Sequence, residues 1–169
     1  MARRTGYVWH EQYAWHDTGT HAGIVPSGGF TQPYQNFESP ESKSRLAGLV
    51  EVSGLLDSLI RVPARQVKED DLLRVHTAGH VERIRAQSAA TGGDAGDDFS
   101  PFGRGSYELA KLAAGGTLAA AEAVLAGEVD NAYALVRPPG HHAEPDQGRG
   151  YCLFANVPIA IEALRAAGK

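Results

Sequence analysis

Arg137-Pro138-Pro139-Gly140-His141-His142-Ala143, followed shortly by Gly150-Tyr151-Cys152-Leu153-Phe154-Ala155-Asn156, decides how the rest of the chain is read. Directly before it, Asn131 to Val136 (Asn-Ala-Tyr-Ala-Leu-Val) is a short apolar run that predicts a buried strand. Directly after it, Pro158 to Ala167 predicts a helix, with proline in its first turn and Gly168 placed to end it. In open α/β sheets, ligands and catalytic groups collect at the carboxyl ends of strands, which is where this loop starts. Two prolines and a glycine turn it sharply, so the paired imidazoles are held rather than mobile. Imidazole exchanges protons near neutral pH, and two neighbours can be tuned apart by different partners.

Working outward, helix and strand alternate. Thr5 to Trp9 is β-prone. Residues 10–40, crowded with Gly, Pro, Asn, Ser and aromatics, predict an irregular segment. It would either wrap the rim of a site or form an arm on a neighbouring subunit, through which copies of the chain could make a homo-oligomer. From Glu41, the spacing of Leu46, Leu49, Val50, Leu56, Leu59 and Ile60 predicts a helix that Pro63 ends, followed by a brief strand over Arg65–Val67. A short helix over Asp70–Val75 has acidic residues near its N-terminus. Thr77 is placed to cap a further helix through Val81, Ile84 and Ser88. After a Gly- and Asp-rich loop at 91–105, Ser106 is expected to cap a long Ala-rich helix through Gly116 to Ala126. The adjacent Gly115 and Gly116 weaken a helix, so they point to close packing against another element.

This alternation predicts an α/β domain with a mostly parallel sheet flanked by helices. It reads as one unit, with residues 1–40 as rim or arm and 41–169 as helices and strands. The last helix stops where the returning strand of a crossover unit would begin, so the domain is expected to be incomplete at its C-terminus.

Composition narrows the partners. The 169 residues are 43% hydrophobic and 21% charged with a net charge of −4, ordinary values for one globular domain. Lys and Arg are dispersed, so nucleic acid is not an expected partner. The small-apolar stretch Leu109–Ala126 is interrupted by Lys111, Gly115, Gly116, Thr117 and Glu122, which predicts a packed helix and no membrane span. The start, Met1 to Tyr7, carries a basic pair without an apolar run behind it and is not a signal peptide. With Cys152 as the single cysteine, no internal disulfide forms and a cytoplasmic location is expected.

The Arg-Pro-Pro-Gly-His-His-Ala and Gly-Tyr-Cys-Leu-Phe-Ala-Asn pair closely resembles the signature of the histone deacetylase and acetylpolyamine amidohydrolase superfamily, most nearly its bacterial class II proteins. Tyr7-Val8-Trp9, Trp15-His16-Asp17-Thr18-Gly19-Thr20-His21, Gly28-Gly29-Phe30 and Phe102-Gly103-Arg104-Gly105-Ser106-Tyr107 extend the likeness along the chain. The resemblance implies an arginase–deacetylase type of fold, Zn2+ in the complete domain, and hydrolysis of an acetylated lysine or polyamine substrate. It makes His142 the general base and the acid that protonates the leaving amine, with His141 deeper and acting mainly through electrostatics. Gly150 and Tyr151 become one wall of the acyl tunnel, tyrosine standing where relatives usually carry phenylalanine. Asp98 or its neighbour Asp97 corresponds to a rim aspartate that grips the substrate backbone, the other reading being a solvated turn carboxylate. Arg45 sits where many relatives have an arginine near an internal channel; a helix-surface arginine is the equally good reading.

No Asp-x-His, the family's metal-ligand motif, occurs in the sequence. The chain alone is therefore expected to supply no metal ligands and to be inactive or nearly so, and a truncated fragment or non-catalytic interaction module is the alternative. Two further groups, His76 with His80 and His16 with Asp17 and His21, lack the three or four converging ligands that zinc needs. Helix-end or packing roles are expected for the first and turn hydrogen bonding for the second. Cys152 in its apolar setting reads as a buried, inert thiol. An acyltransferase motif, His-His-x-x-x-Asp, is matched by His141 to Asp146, but Gln147 stands where that motif usually has glycine.

Overall fold

The computed structural model describes residues 3–23 and 25–169; Met1, Ala2 and Ile24 lie outside, so the first two residues of the start read above are not covered. The frame is a three-stranded parallel sheet in which β1 (Thr5–Val8) lies between β5 (Leu59–Arg61) and β8 (Asn131–Ala134). Tyr7 is in register with Arg61 on one side and Tyr133 on the other, so these three side chains share a face. Gly6 and Val8 point to the opposite face, where Val8 meets the long helix α4 (Ser106–Leu125). The α/β architecture with a parallel sheet and flanking helices is therefore the one the alternation predicted.

The two adjacent glycines of α4 explain its close approach. A Cβ on Gly115 would overlap the backbone carbonyl of Arg65, and one on Gly116 would overlap the hydroxyl of Tyr13. A carbonyl fixed in the backbone cannot swing aside, so Gly115→Ala should cost about 3 kcal/mol, the upper end of ordinary overpacking. Gly48, within α1 (Glu41–Val52), has open space where a Cβ would stand. There the same substitution should instead raise stability by up to about 1 kcal/mol. Urea denaturation of the two variants against the parent chain checks both signs.

The main core gathers Leu72 from α2 (Glu69–Leu73), Val81 and Ile84 from α3 (Ala78–Ala89), Tyr107, Ala110 and Leu118 from α4, and Ile159 from α5 (Asn156–Ala166). Leu153 and Phe154 belong to the same cluster, so the far end of the 137–156 loop is anchored in the interior. Thr77 caps α3 as predicted, its hydroxyl accepting the N–H of His80 at 3.3 Å. Among the described residues no helix is long and apolar enough to cross a membrane.

Several boundaries differ from expectation. The helix begun at Glu41 does not run to Pro63. It stops at Val52, Gly54 turns the chain with φ +75°, and a 3-10 turn at Leu55–Ser58 leads into the strand at Leu59–Arg61. The apolar spacing there serves a helix first and a strand afterwards, and no residue of α1 is buried. Arg65–Val67 is not a strand; Val67 donates its N–H to the Lys111 carbonyl of α4 instead. Gly105, with φ +82°, holds the cap position of α4, leaving Ser106 as the first helical residue. Residues 10–40 contain more regular structure than their composition suggested. After a 3-10 turn at Glu11–Trp15 come β2 (Thr20–Ala22), β3 (Val25–Pro26) and β4 (Tyr34–Gln35), an antiparallel sheet with β2 in the middle, and further on β6 (Gly93–Asp94) pairs with β7 (Pro101–Phe102).

Candidate functional site

Strand β8 delivers the chain to Arg137, whose side chain has no exposed surface. Its Nε donates to Glu38 Oε2 at 2.7 Å, and its terminal nitrogens donate to the carbonyls of Tyr13, His16 and Glu38. The start of the histidine loop is thereby tied to residues 13–38. Burial raises the Glu38 carboxyl from its ordinary value, against the pull of Arg137 and Lys43. Further along, Asn156 Nδ2 donates to the Pro138 carbonyl at 3.1 Å, which closes the loop on the first turn of α5. Gly140 packs so tightly on Phe154 and Asn156 that a Cβ would not fit.

His141 and His142 lie side by side, with ring centroids 4.2 Å apart and planes inclined by 52°. The N–H of His142 donates to Cys152 Sγ at 3.4 Å. Gly150 (φ +52°) presses on the His142 ring; a Cβ there would come within 2.7 Å of Cδ2. Tyr151 also adopts a left-handed backbone, φ +69°. Two hydrogen bonds hold this pair of unusual conformations: Gly150 N–H to Asp97 Oδ2 at 2.7 Å, and Tyr151 N–H to Ser100 Oγ at 2.8 Å. The fold thus brings His141, His142, Gly150 and Tyr151 together with the 94–100 loop. Both histidines of the pair are exposed among the described residues.

The remaining candidates fall into place around this loop. Asp98 is exposed with φ +63°, and its N–H donates to Asp94 Oδ1 at 3.0 Å. Arg45 is exposed on α1, as a helix-surface arginine would be. The Cys152 thiol is fully buried, and burial pushes its pKa up, in keeping with an inert packing role. His76 and His80 sit beneath the loop: His76 Nε2 accepts the Ala155 N–H at 2.9 Å. Arg83 donates to His80 Nδ1, which leaves His80 Nε2–H to donate to the Leu153 carbonyl at 2.9 Å. His16 Nδ1 lies 2.9 Å from Ser106 Oγ, while Asp17 accepts the Gly19 N–H in a turn.

These uses account for the histidines outside the pair, apart from His10, which caps the 3-10 turn, and the buried His21 of β2. Among the described residues no three His, Cys, Asp or Glu side chains converge where a metal ion could be held. The residues present therefore do not fit the zinc that the resemblance implies.

Burial pushes His76 down to about 4 and His16, beside Arg137, down to about 3. Unfolded histidines take up a proton near pH 6.5, so between that value and about 4 the unfolded chain binds more protons and stability falls with pH. The contribution of His76 alone is on the order of 3 kcal/mol. Thermal melts across this range should show a steep acid decline that His76→Gln makes shallower.

Sequence reasoning missed the Arg137–Glu38 pair, the Ser100 contact and the bracket formed by Asp94. The only signal for the first was an arginine ending an apolar strand, where a charge needs a partner.

Comparison with known proteins gives concordant results. The histone deacetylase domain matches residues 36–169. The histone deacetylase-like amidohydrolase of Pseudomonas aeruginosa is 52% identical over 169 residues, an alignment covering 98% of this chain and 44% of that protein. The polyamine deacetylase HDAC10 of Danio rerio is 35% identical over 137 residues, covering 78% of this chain and 20% of its own length. Among solved structures, the HDA15 HD domain superposes with a TM-score of 0.82 at 28% identity, covering 98% of this chain and 44% of the other. The chain spans less than half the length of each.

Proposed function

The chain belongs to the histone deacetylase family, and from that premise we propose that it carries the proton-transfer face of an amidohydrolase acting on N-acetyl groups of lysine or polyamines. The observation that carries this reading is the contact of His142 with the left-handed Gly150–Tyr151 turn. His142 acts as general base toward water and then as acid toward the leaving amine, chemistry for which an imidazole is the usual side chain. His141, with its ring 4.2 Å away, acts on His142 through electrostatics. Gly150 and Tyr151 form a wall for the acyl-amine chain, and exposed Asp98 meets the substrate at the rim. Zinc ligands come from outside these 169 residues, so this segment alone carries only part of the machinery.

A second reading, a non-catalytic module on the same scaffold, is favoured by the lack of a ligand set among the described residues. Hydrolysis of an acetyl-lysine peptide and an acetylpolyamine separates the two. The 169-residue chain should show no turnover, and the chain joined to the remaining part of the Pseudomonas relative should show it. No turnover in the joined protein, folded and loaded with zinc, would favour the module. A cytoplasmic setting accords with the lone buried cysteine. Exposed Phe30, Tyr34 and Phe37 beside the antiparallel sheet support self-association through that segment.

A further inference from the structure

Asp97 and Asp98 are adjacent and chemically identical, yet the backbone sends them in different directions. We infer that Asp97 is a positioning residue: by accepting the Gly150 amide it holds the Gly150–Tyr151 turn against the His142 imidazole. The inference rests on the reading of His142 as the base, since only then does fixing its ring bear on the reaction.

Both carboxylate oxygens of Asp97 are engaged by the protein. Oδ2 accepts from Gly150 N–H at 2.7 Å and Oδ1 from Phe99 N–H at 3.1 Å. Partial burial raises this carboxyl, but the bonds from Gly150, Ser100 and Phe99 prevail and hold it below its ordinary value. Asp97 in turn sits on a prepared bracket. Asp94 Oδ1 accepts the N–H groups of Gly96, Asp97 and Asp98, and Oδ2 accepts that of Ser100. Arg83 on α3 donates to the carbonyls of Asp94 and Ala95 and to His80, and His80 donates to Leu153. The bracket therefore connects to the histidine loop at both ends, through Gly150 and through Leu153. Gly150 lies against the His142 ring, and its lack of a Cβ permits that contact. A merely solvated turn carboxylate would reach neither Gly150 nor, through it, the histidine. Asp98 joins the bracket only through its backbone N–H, and its exposed side chain, on a left-handed backbone, makes no bond to Gly150.

NMR of the 169-residue chain tests this without reference to turnover, so failure of the deacetylase reading and failure of the positioning role are separable. The parent chain should show a nuclear Overhauser contact between His142 Hδ2 and Gly150 Hα, with slow exchange of the Gly150 amide. In Asp97→Ala the contact should vanish and that exchange should accelerate at least about tenfold, the loss of one charge-assisted hydrogen bond. Asp97→Asn keeps a carbonyl acceptor and should preserve the contact. Asp98→Ala should leave both readouts unchanged, with the methyl resonances of Leu72 and Ile84 reporting an intact core. An unaltered contact in Asp97→Ala, or its equal loss in Asp98→Ala, overturns the inference. A measurement on the parent chain decides even where Asp97→Ala does not fold. The Gly150 amide proton should shift with a carboxyl titrating below the ordinary aspartate range, and no such shift would also overturn it.

Discussion

Turnover of an acetyl-lysine peptide should fall at least about a thousandfold when His142 is replaced by alanine in the chain joined to the rest of the Pseudomonas amidohydrolase. A positioned general acid–base group contributes roughly a hundredfold to ten-thousandfold, and here one imidazole serves in both directions. The substitution should leave the loop intact, because the backbone of His142, and not its ring, donates to Cys152 Sγ. Removing the ring also relieves no strain at Gly150, whose left-handed turn is held by Asp97. Zinc content, measured by elemental analysis, should be unchanged. His141→Ala should cost less, since its ring acts through its neighbour. Near-normal turnover in His142→Ala would refute the assignment of the base.

Replacing Arg137 by methionine should produce the largest loss of stability of any single substitution considered. The guanidinium is wholly buried and donates to four acceptors, so its removal takes a donor from the carbonyls of Tyr13, His16 and Glu38 and leaves the buried Glu38 carboxylate with only Lys43, 3.8 Å away. Breaking a buried pair by deleting one partner costs about 3–5 kcal/mol, a large share of the roughly 5–15 kcal/mol that holds a domain together. Adding Glu38→Gln should recover part of the loss, because it neutralises the stranded charge. Arg65→Met offers the contrast. Its partner Glu122 lies 2.6 Å away, but the two side chains are 50% and 32% exposed, so the change should cost less than about 1 kcal/mol. Urea denaturation of the four proteins checks the ordering. A loss in Arg137→Met no greater than in Arg65→Met would show that the arm is held by something else.

How much of this was legible in the sequence follows from which signals are local. Strand β1, helices α3 and α4, and the packing role of Gly115 and Gly116 were readable, because periodicity, a capping threonine and small residues act over a few positions; β8 was placed correctly but ends at Ala134 and alternates exposed and half-buried residues where a buried strand was expected. The 41–61 region was misread because leucine and isoleucine at mixed spacings satisfy a helix and a strand alike, and only the left-handed Gly54 separates them. Strands of two or three residues, such as β2 to β4, carry no periodic signal at all. At the site, the histidine pair and the Gly150–Tyr151 wall were visible as a motif. The Arg137–Glu38 pair was not, since its members stand 99 residues apart. Nor could Asp97 be told from Asp98, because what separates them is backbone conformation.

The central strand of the sheet has a consequence for how the chain is made. β1 leaves the ribosome well before β8, which pairs with it from across 126 residues, Thr5 against Asn131. At ordinary rates of synthesis that partner arrives on the order of ten seconds later. Until then one edge of β1 has no neighbour, and the loop that β8 positions has no support. The histidine pair is thus set in place only after nearly the whole of these 169 residues has been synthesised, and a chain that stalls before residue 131 keeps the β1–β5 pairing but neither the third strand nor the site.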